Sequence, residues 1–198
     1  MNSLRIPLAT AAVAMLAAAC VGTPRHAAVP LPWPERRAML QADDDFTLSG
    51  RVALSAPGTG FNASLRWRQQ GGTSLVSLDG PLGVGGAEVE LRGDQLDLRT
   101  SRGEHLAGEA ARVALEQRVG FPLPLEALRY WVRGVPQPGA PADETLDVDH
   151  QRLAQLVQEG WSIAYESWAE GSGGGLPRRL TATRGDTRVR LVIDRWTP

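Results

Sequence analysis

The 198-residue chain has no lysine, one cysteine, three histidines and an aromatic content of only 6%. All 21 basic residues are arginine, and we attribute this first to the base composition of the genome rather than to a function. With 22 acidic residues, the net charge is −1. Without a basic excess, we expect no nucleic-acid partner. The single cysteine, Cys20, excludes an internal disulfide. Few aromatic side chains leave room for a cavity in the folded domain.

Signatures of catalysis and metal binding are also missing. His26, His105 and His150 are scattered and show no metal-ligand spacing, so we expect no metal site. No serine lies in a Gly-x-Ser-x-Gly motif. The glycines of residues 83–86 precede a predicted strand and lack the Lys-Ser/Thr pair of a phosphate loop. We therefore predict no catalytic residue, no cofactor and no nucleotide-driven step.

Residues 1–19 have the layout of a bacterial secretory signal peptide. Arg5 gives a positive start, residues 7–19 are almost wholly apolar, and small residues end the run. The run is too short to span a bilayer as a mature helix. Residues 16–20, Leu-Ala-Ala-Ala-Cys, resemble the bacterial lipobox, although Ala17 stands where leucine is commonest. The resemblance implies that Cys20 is lipidated and becomes the mature N-terminus; the alternative is a plain secretory peptide with a chance cysteine.

Residues 20–32 are rich in Pro, Ala, Gly and Thr, and we predict that they form a tether. As a flexible coil this segment spans roughly 20 Å, and at most about 40 Å when stretched. Val21 follows the cysteine, in place of the Asp that resembles an inner-membrane retention signal. We therefore expect a lipid anchor in the outer membrane, with the folded domain facing the periplasm and close to the bilayer.

The folded domain, residues 33–198, is predicted to be mainly β. Apolar residues recur with a period of two over most of its length, and two stretches midway have a helical period. Strands are predicted at residues 46–54, 61–68, 73–79, 87–91, 96–98, 144–148, 152–158, 161–168, 176–184 and 188–196, and helices at 33–42, 107–119 and 125–133. About ten or eleven strands with one apolar face predict an incompletely closed antiparallel barrel, with the two central helices over one mouth. Alternation leaves open whether the barrel is filled by its own side chains or partly hollow.

The turn at residues 79–86 is unusually apolar. Its sequence is Asp-Gly-Pro-Leu-Gly-Val-Gly-Gly, and the only sizeable side chains after Asp79 are Pro81, Leu82 and Val84. Soluble proteins usually place polar residues at such a tip. The tip is therefore either tucked beneath a neighbour or exposed to meet something apolar.

Several segments of the domain resemble the LolB family in their order and spacing. The longest is residues 121–136, Phe-Pro-Leu-Pro-Leu-Glu-Ala-Leu-Arg-Tyr-Trp-Val-Arg-Gly-Val-Pro. Shorter matching segments lie at residues 48–52, 81–83, 160–161, 176–180 and 191–196. The likeness covers about residues 46–196, and the lipobox-like segment agrees with it independently.

This resemblance implies an eleven-stranded open barrel of the LolA/LolB type, with helices as a lid over an apolar cavity that holds acyl chains. It implies a receptor that accepts lipoproteins from the periplasmic carrier LolA and inserts them into outer-membrane phospholipid. In the family, the leucine of a protruding Pro-Leu-Gly loop is linked to delivery, and here it matches Leu82 between Pro81 and Gly83. We expect a monomer.

Alternation of apolar residues also nominates side chains for the cavity wall, although each of them could equally be ordinary core. The candidates are Trp67, Leu91, Leu128, Trp131 and Ile163.

Two other interpretations of the protein's function stay open. One is a lipid-anchored structural or envelope-assembly protein with a filled barrel and no acyl ligand. The other, weaker one is a periplasmic lipid-modifying enzyme.

Overall fold

The computed structural model describes residues 31–80, 85–149, 151–170 and 175–197. Contacts divide the chain into Met1–Pro30 and a compact unit Leu31–Pro198, and the description below concerns the second. Its elements in chain order are α1 (Trp33–Ala42), β1 (Phe46–Ala56), β2 (Thr59–Gln70), β3 (Thr73–Asp79), β4 (Ala87–Arg92), β5 (Gln95–Thr100), β6 (His105–Ala107), α2 (Gly108–Val119), α3 (Leu125–Trp131), β7 (Ala142–Leu146), β8 (Leu153–Gln158), β9 (Trp161–Trp168), β10 (Pro177–Arg184) and β11 (Thr187–Thr197).

All eleven strands of the described ranges form one sheet, in the order β6-β5-β4-β3-β2-β1-β11-β10-β9-β8-β7. Pairing of β1 with β11 joins two antiparallel meanders, β1 to β6 and β7 to β11. Strands β6 and β7 stand at the two ends of this order, so the sheet is not closed on itself. The arrangement confirms the predicted open antiparallel barrel.

Helices α2 and α3 connect the two meanders and cover different parts of the apolar face. Ala111, Leu115 and Val119 of α2 pack in a cluster with residues of β4 and β5. Ala127 and Trp131 of α3 join a larger cluster with residues of β2, β9, β10 and β11. The core therefore lies between the helices and the inner face of the sheet, as the alternating pattern predicts.

Helix α1 is fixed to the barrel by polar contacts of its own. Trp33 is buried and donates a hydrogen bond from Nε1 to Glu144 Oε2 (2.8 Å), while Arg37 Nη1 forms an ion pair with the other oxygen (2.5 Å). Directly after the helix, Asp43 pairs with the buried guanidinium of Arg133 (2.9 Å). Burial lowers the pKa of Arg133, and the Asp43 carboxylate opposes that shift. These contacts tie both ends of α1 to the barrel.

Gly50 marks a local irregularity in β1. The register with β11 shifts between Ser49 and Gly50, which is the position of a β-bulge or similar irregularity. A Cβ at Gly50 would overlap the carbonyl oxygen of Val192 and lie 3.0 Å from Ile193 Cα. Glycine is therefore required here by the close approach of two backbones, not by its backbone angles.

Several strand and helix ends differ from the sequence predictions by one or two residues, and one strand was not predicted. Strand β7 ends at Leu146 rather than 148, because Asp147 accepts hydrogen bonds from Gln151 N (3.0 Å) and Arg152 Nε (3.0 Å) and so begins a turn. Strand β6 was not predicted, since its three residues, His105–Ala107, are too few to show a period.

Candidate functional site

An apolar cavity of about 180 Å³ lies between the inner face of the sheet and helices α2 and α3. Ser74 is the only residue of a polar type among the described residues that line it, and its hydroxyl is turned to Gln69 by a hydrogen bond. None of the described lining residues carries an ionisable group. Besides the five candidates named from the sequence, the lining includes Val52, Leu54, Phe61, Leu65, Val76, Leu78, Val89, Leu115, Val119, Phe121, Leu180, Val189 and Leu191.

The structure places all five cavity candidates in the wall of this one cavity: Trp67, Leu91, Leu128, Trp131 and Ile163. They come from β2, β4, α3 and β9, so the wall combines both meanders with the helical connection. Lining residues from β3, β10 and β11 were missed, although the same alternation along those strands would have found them. The described lining residues can accommodate apolar groups, and none of them is ionisable.

A buried amide network fixes Trp131 and the chain that follows it. Gln158 is 2% exposed, and its Oε1 accepts hydrogen bonds from Trp131 Nε1 (2.8 Å) and Gln137 N (2.9 Å). Its Nε2 donates to Gln137 O (3.0 Å), so the amide is bonded on both sides. Tyr165 donates from its hydroxyl to Trp131 O (2.9 Å), and burial raises the pKa of that phenol. The end of α3 is thus held to β8 and β9.

Two further indoles in the cavity wall have no hydrogen-bond partner in the part of the chain that the structure describes. Trp67 Nε1 and Trp161 Nε1 are both buried, and no acceptor lies within reach among the described residues. A buried donor without an acceptor costs about 1–3 kcal/mol. These two donors therefore add a free-energy cost to the cavity wall.

A polar cleft of about 230 Å³ adjoins the cavity and shares Leu91, Pro124 and Leu125 with it. Its other walls come from the β4–β5 turn, α2, α3, the segment after α3 and the β8–β9 turn. The polar lining residues are Asp94, Arg112, Glu126, Gln137 and Glu159. Gln137 Oε1 is buried and has no partner among the described residues. No periodic signal could have revealed this cleft, because each residue comes from a separate element.

The remaining predicted site residues lie outside the described residues. They are Cys20 and the three loop residues Pro81, Leu82 and Gly83. The flanking chain is described: β3 ends at Asp79, which pairs with Arg66 (2.9 Å), and Gly86 O accepts a hydrogen bond from Ser101 N (2.9 Å).

Within the described part of the chain, no three His, Cys, Asp or Glu side chains are placed to share a metal ion. None of the described helices has both the length and the apolar character that crossing a bilayer requires.

Comparison with known proteins gives consistent relatives. A family model described as outer membrane lipoprotein LolB matches residues 44–196. An outer-membrane lipoprotein LolB of Pseudomonas paraeruginosa is 36% identical over 98% of this chain and 97% of its own length. One of Alkalilimnicola ehrlichii is 37% identical over 93% and 92%. Among solved structures, a DUF1329 family protein from Desulfovibrio piger aligns with a TM-score of 0.53 at 11% identity, over 82% of this chain and 88% of the other, which supports the fold alone. The family model matches more than half of the chain, and both LolB relatives are more than 30% identical over nearly all of it. This chain therefore belongs to the LolB family.

Proposed function

We propose that this protein is a receptor anchored in the outer membrane that accepts lipoproteins from the periplasmic carrier LolA and inserts them into that membrane. Acyl chains of the cargo occupy the apolar cavity, and no nucleotide is hydrolysed. The observation that carries the proposal is a cavity whose described wall contains apolar side chains from both meanders and the helices and no ionisable group. Membership of a family of outer-membrane lipoproteins supports the location.

The energetics of the cargo explain why a cavity is needed. Exposing acyl chains to water costs about 0.8 kcal/mol per CH₂, so roughly 45 methylenes of a triacylated lipoprotein cost about 36 kcal/mol. Transfer therefore proceeds from one apolar cavity to the next. With no energy source, direction comes from increasing affinity, from the carrier to this protein and then to the bilayer.

The polar cleft gives the cargo a second zone of contact. It opens beside Leu91 and Leu125, where the apolar lining ends. In this arrangement the acyl chains lie inward and the acylated cysteine, with its ester and amide groups, lies among the polar side chains of the cleft. Such a division matches the two parts of a lipoprotein terminus.

Size argues that the cavity must enlarge before it is loaded. Its volume of about 180 Å³ is below the range of roughly 300–1,000 Å³ that holds drug-sized ligands. The same observation favours the second candidate function, a lipid-anchored structural or assembly protein whose barrel stays filled. Co-purified acyl chains or lipoproteins, detected by mass spectrometry, support the receptor, whereas their absence from protein isolated in mild detergent supports the filled barrel.

The decisive experiment is stepwise transfer of a purified lipoprotein from carrier to this protein and then to liposomes. Leu128→Glu places a carboxylate in the cavity wall and should reduce uptake from the carrier, because a charge in an apolar wall opposes the acyl chain. Val157→Glu is the matched control, since Val157 is exposed on β8. Equal uptake by both variants would contradict the assignment of the cavity.

The loop at Pro81, Leu82 and Gly83 serves delivery in this proposal. Its apolar side chains contact the bilayer while the short tether from the lipidated Cys20 keeps the domain near the surface. The protein acts as a monomer and as a binding protein, not an enzyme.

A further inference from the structure

Four neighbouring strands carry a strong excess of positive charge on their outer face. In sheet order they are β2, β1, β11 and β10, and together they contain nine arginines and one acidic residue, Asp194. The rest of the chain holds the other 12 arginines and 21 acidic residues. Eight of the nine form what we call the arginine face, and all eight are exposed: Arg51, Arg66, Arg68, Arg178, Arg179, Arg188, Arg190 and Arg195. Arg184, at the end of β10, lies on the same side of the sheet as Leu180 and Ala182, which line the cavity, and is not part of the face.

The strand register leaves these guanidinium groups uncrowded. Arg190 lies opposite Ala53 on one side and Thr181 on the other, and Arg188 lies between Ser55 and Thr183. Small neighbours do not cover a long side chain. The face therefore presents its charges outward as a regular array, with strands spaced about 4.8 Å apart.

Few carboxylates neutralise the array. Arg51 pairs with Asp194 (3.1 Å) and Arg66 with Asp79 (2.9 Å), while Glu166 is shared by Arg190 (3.5 Å) and Arg179 (3.9 Å). The other four have no carboxylate within 4.0 Å among the described residues. They are Arg68, Arg178, Arg188 and Arg195.

We propose that the arginine face binds the phosphate groups of anionic phospholipid, so that the outer side of the barrel rests against the bilayer during delivery. Guanidinium groups pair with phosphate in a two-pronged geometry, and basic clusters are drawn to anionic membrane surfaces. This proposal rests on the proposed function, in which cargo is delivered to a membrane. A bilayer is favoured over an acidic protein because the arginine face lies next to β3, the strand that leads into the apolar loop. The apolar loop at residues 81–84 follows β3 directly, and charge next to an apolar insertion is a common combination in membrane-surface binding.

The test uses the mature chain, residues 20–198, with Cys20→Ala so that no lipid anchor contributes. Its binding is measured by co-flotation with vesicles of phosphatidylcholine alone and with added phosphatidylglycerol. We expect binding only with phosphatidylglycerol, weakened by salt. Each arginine near an anionic surface contributes about 1 kcal/mol, or roughly fivefold in affinity. Arg188→Ser should therefore weaken binding about fivefold, and Arg68→Ser with Arg188→Ser about 25-fold.

The matched control is Arg118→Ser, which removes one exposed arginine from the last turn of α2, away from the face. We expect a change of less than about twofold. Binding that is indifferent to phosphatidylglycerol, or equal losses in Arg118→Ser and Arg188→Ser, would overturn the proposal. A face variant that binds vesicles normally but no longer receives cargo from the carrier would overturn it too, and would mark the face as a protein-docking surface.

A separate readout keeps this proposal distinct from the proposed function. Uptake of a fluorescent fatty acid by the cavity should be the same in wild type and Arg188→Ser, because the face lies on the opposite side of the sheet from the cavity. A wild type that takes up no acyl chain but still binds anionic vesicles through the face would contradict the receptor function alone.

Discussion

Replacing Gln158 should loosen the fixed end of α3. Gln158→Leu removes the oxygen that accepts hydrogen bonds from Trp131 Nε1 (2.8 Å) and Gln137 N (2.9 Å). It also removes the amide nitrogen that donates to Gln137 O (3.0 Å). A buried donor left without a partner costs about 1–3 kcal/mol. Two donors, the Trp131 indole and the Gln137 amide, lose their acceptor, so we expect about 2–6 kcal/mol of lost stability.

The assay is thermal and urea unfolding combined with amide hydrogen exchange. For a chain of this size, a loss of about 3 kcal/mol lowers Tm by roughly 6–12 °C. Exchange should accelerate most in α3 and in the segment around Gln137. Gln155→Leu is the control, because Gln155 lies on the same strand but is exposed, and among the described residues its side chain bonds only to Ser162 Oγ (2.9 Å). A loss below about 1 kcal/mol in Gln158→Leu, or an equal loss in the control, would refute the reasoning.

Three further predictions concern backbone contact, pH and the apolar loop. Gly50→Ala should cost about 1–3 kcal/mol in unfolding experiments, because the new Cβ overlaps Val192 O, whereas Gly72→Ala has open space and should cost less than about 0.5 kcal/mol. Burial alone would raise the pKa of Asp147, but its hydrogen bonds outweigh this and lower the pKa below 3.8. Its stabilisation is therefore present above that value and lost as pH falls through the lower folded-state pKa, a dependence that Asp147→Asn should abolish in acid unfolding curves. Leu82→Glu should change stability by no more than about 0.5 kcal/mol while weakening delivery of cargo to liposomes.

Each of these three can fail on its own. Equal stability of the two glycine variants would show that β1 and β11 separate easily at the bulge. An unchanged acid unfolding curve in Asp147→Asn would show that the turn after β7 contributes nothing. A loss of several kcal/mol in Leu82→Glu would make Leu82 a core residue.

The fold was largely predictable because, in a half-buried strand, apolar residues on the inner face alternate with polar residues on the outer face. Trp67 and Ile163 were assigned to the inner face in this way, and the structure places both in the cavity wall. The helix predicted over residues 107–119 ends where expected, because Gly120 caps α2 in the left-handed conformation with φ of 86°. Local chemistry of this kind is carried by a few neighbouring residues.

What sequence could not supply depends on residues distant in the chain. The shift at Gly50 arises from the approach of β11, and the polar cleft draws on five elements. One signal in the sequence was overlooked. Gln158 follows Leu153 and Leu156 on β8 at a position that faces inward and is buried. An inward amide among apolar residues indicates a specific polar contact inside a protein. The arginine face likewise appears only when β2, β1, β11 and β10 are placed side by side.

The cavity can enlarge most readily through α2. The end of α3 is tied to β8 and β9 by Gln158 and Tyr165, whereas among the described residues the side chains of α2 make no hydrogen bond to the sheet. Helix α2 packs through apolar contacts alone, and glycines with positive φ, Gly108 (60°) and Gly120 (86°), stand at its two ends. Such residues absorb backbone rotation at a hinge. We therefore expect acyl-chain uptake to change hydrogen exchange in α2 more than in α3. A larger change in α3 would mean that the buried hydrogen bonds of Gln158 and Tyr165 break before the apolar contacts of α2 do.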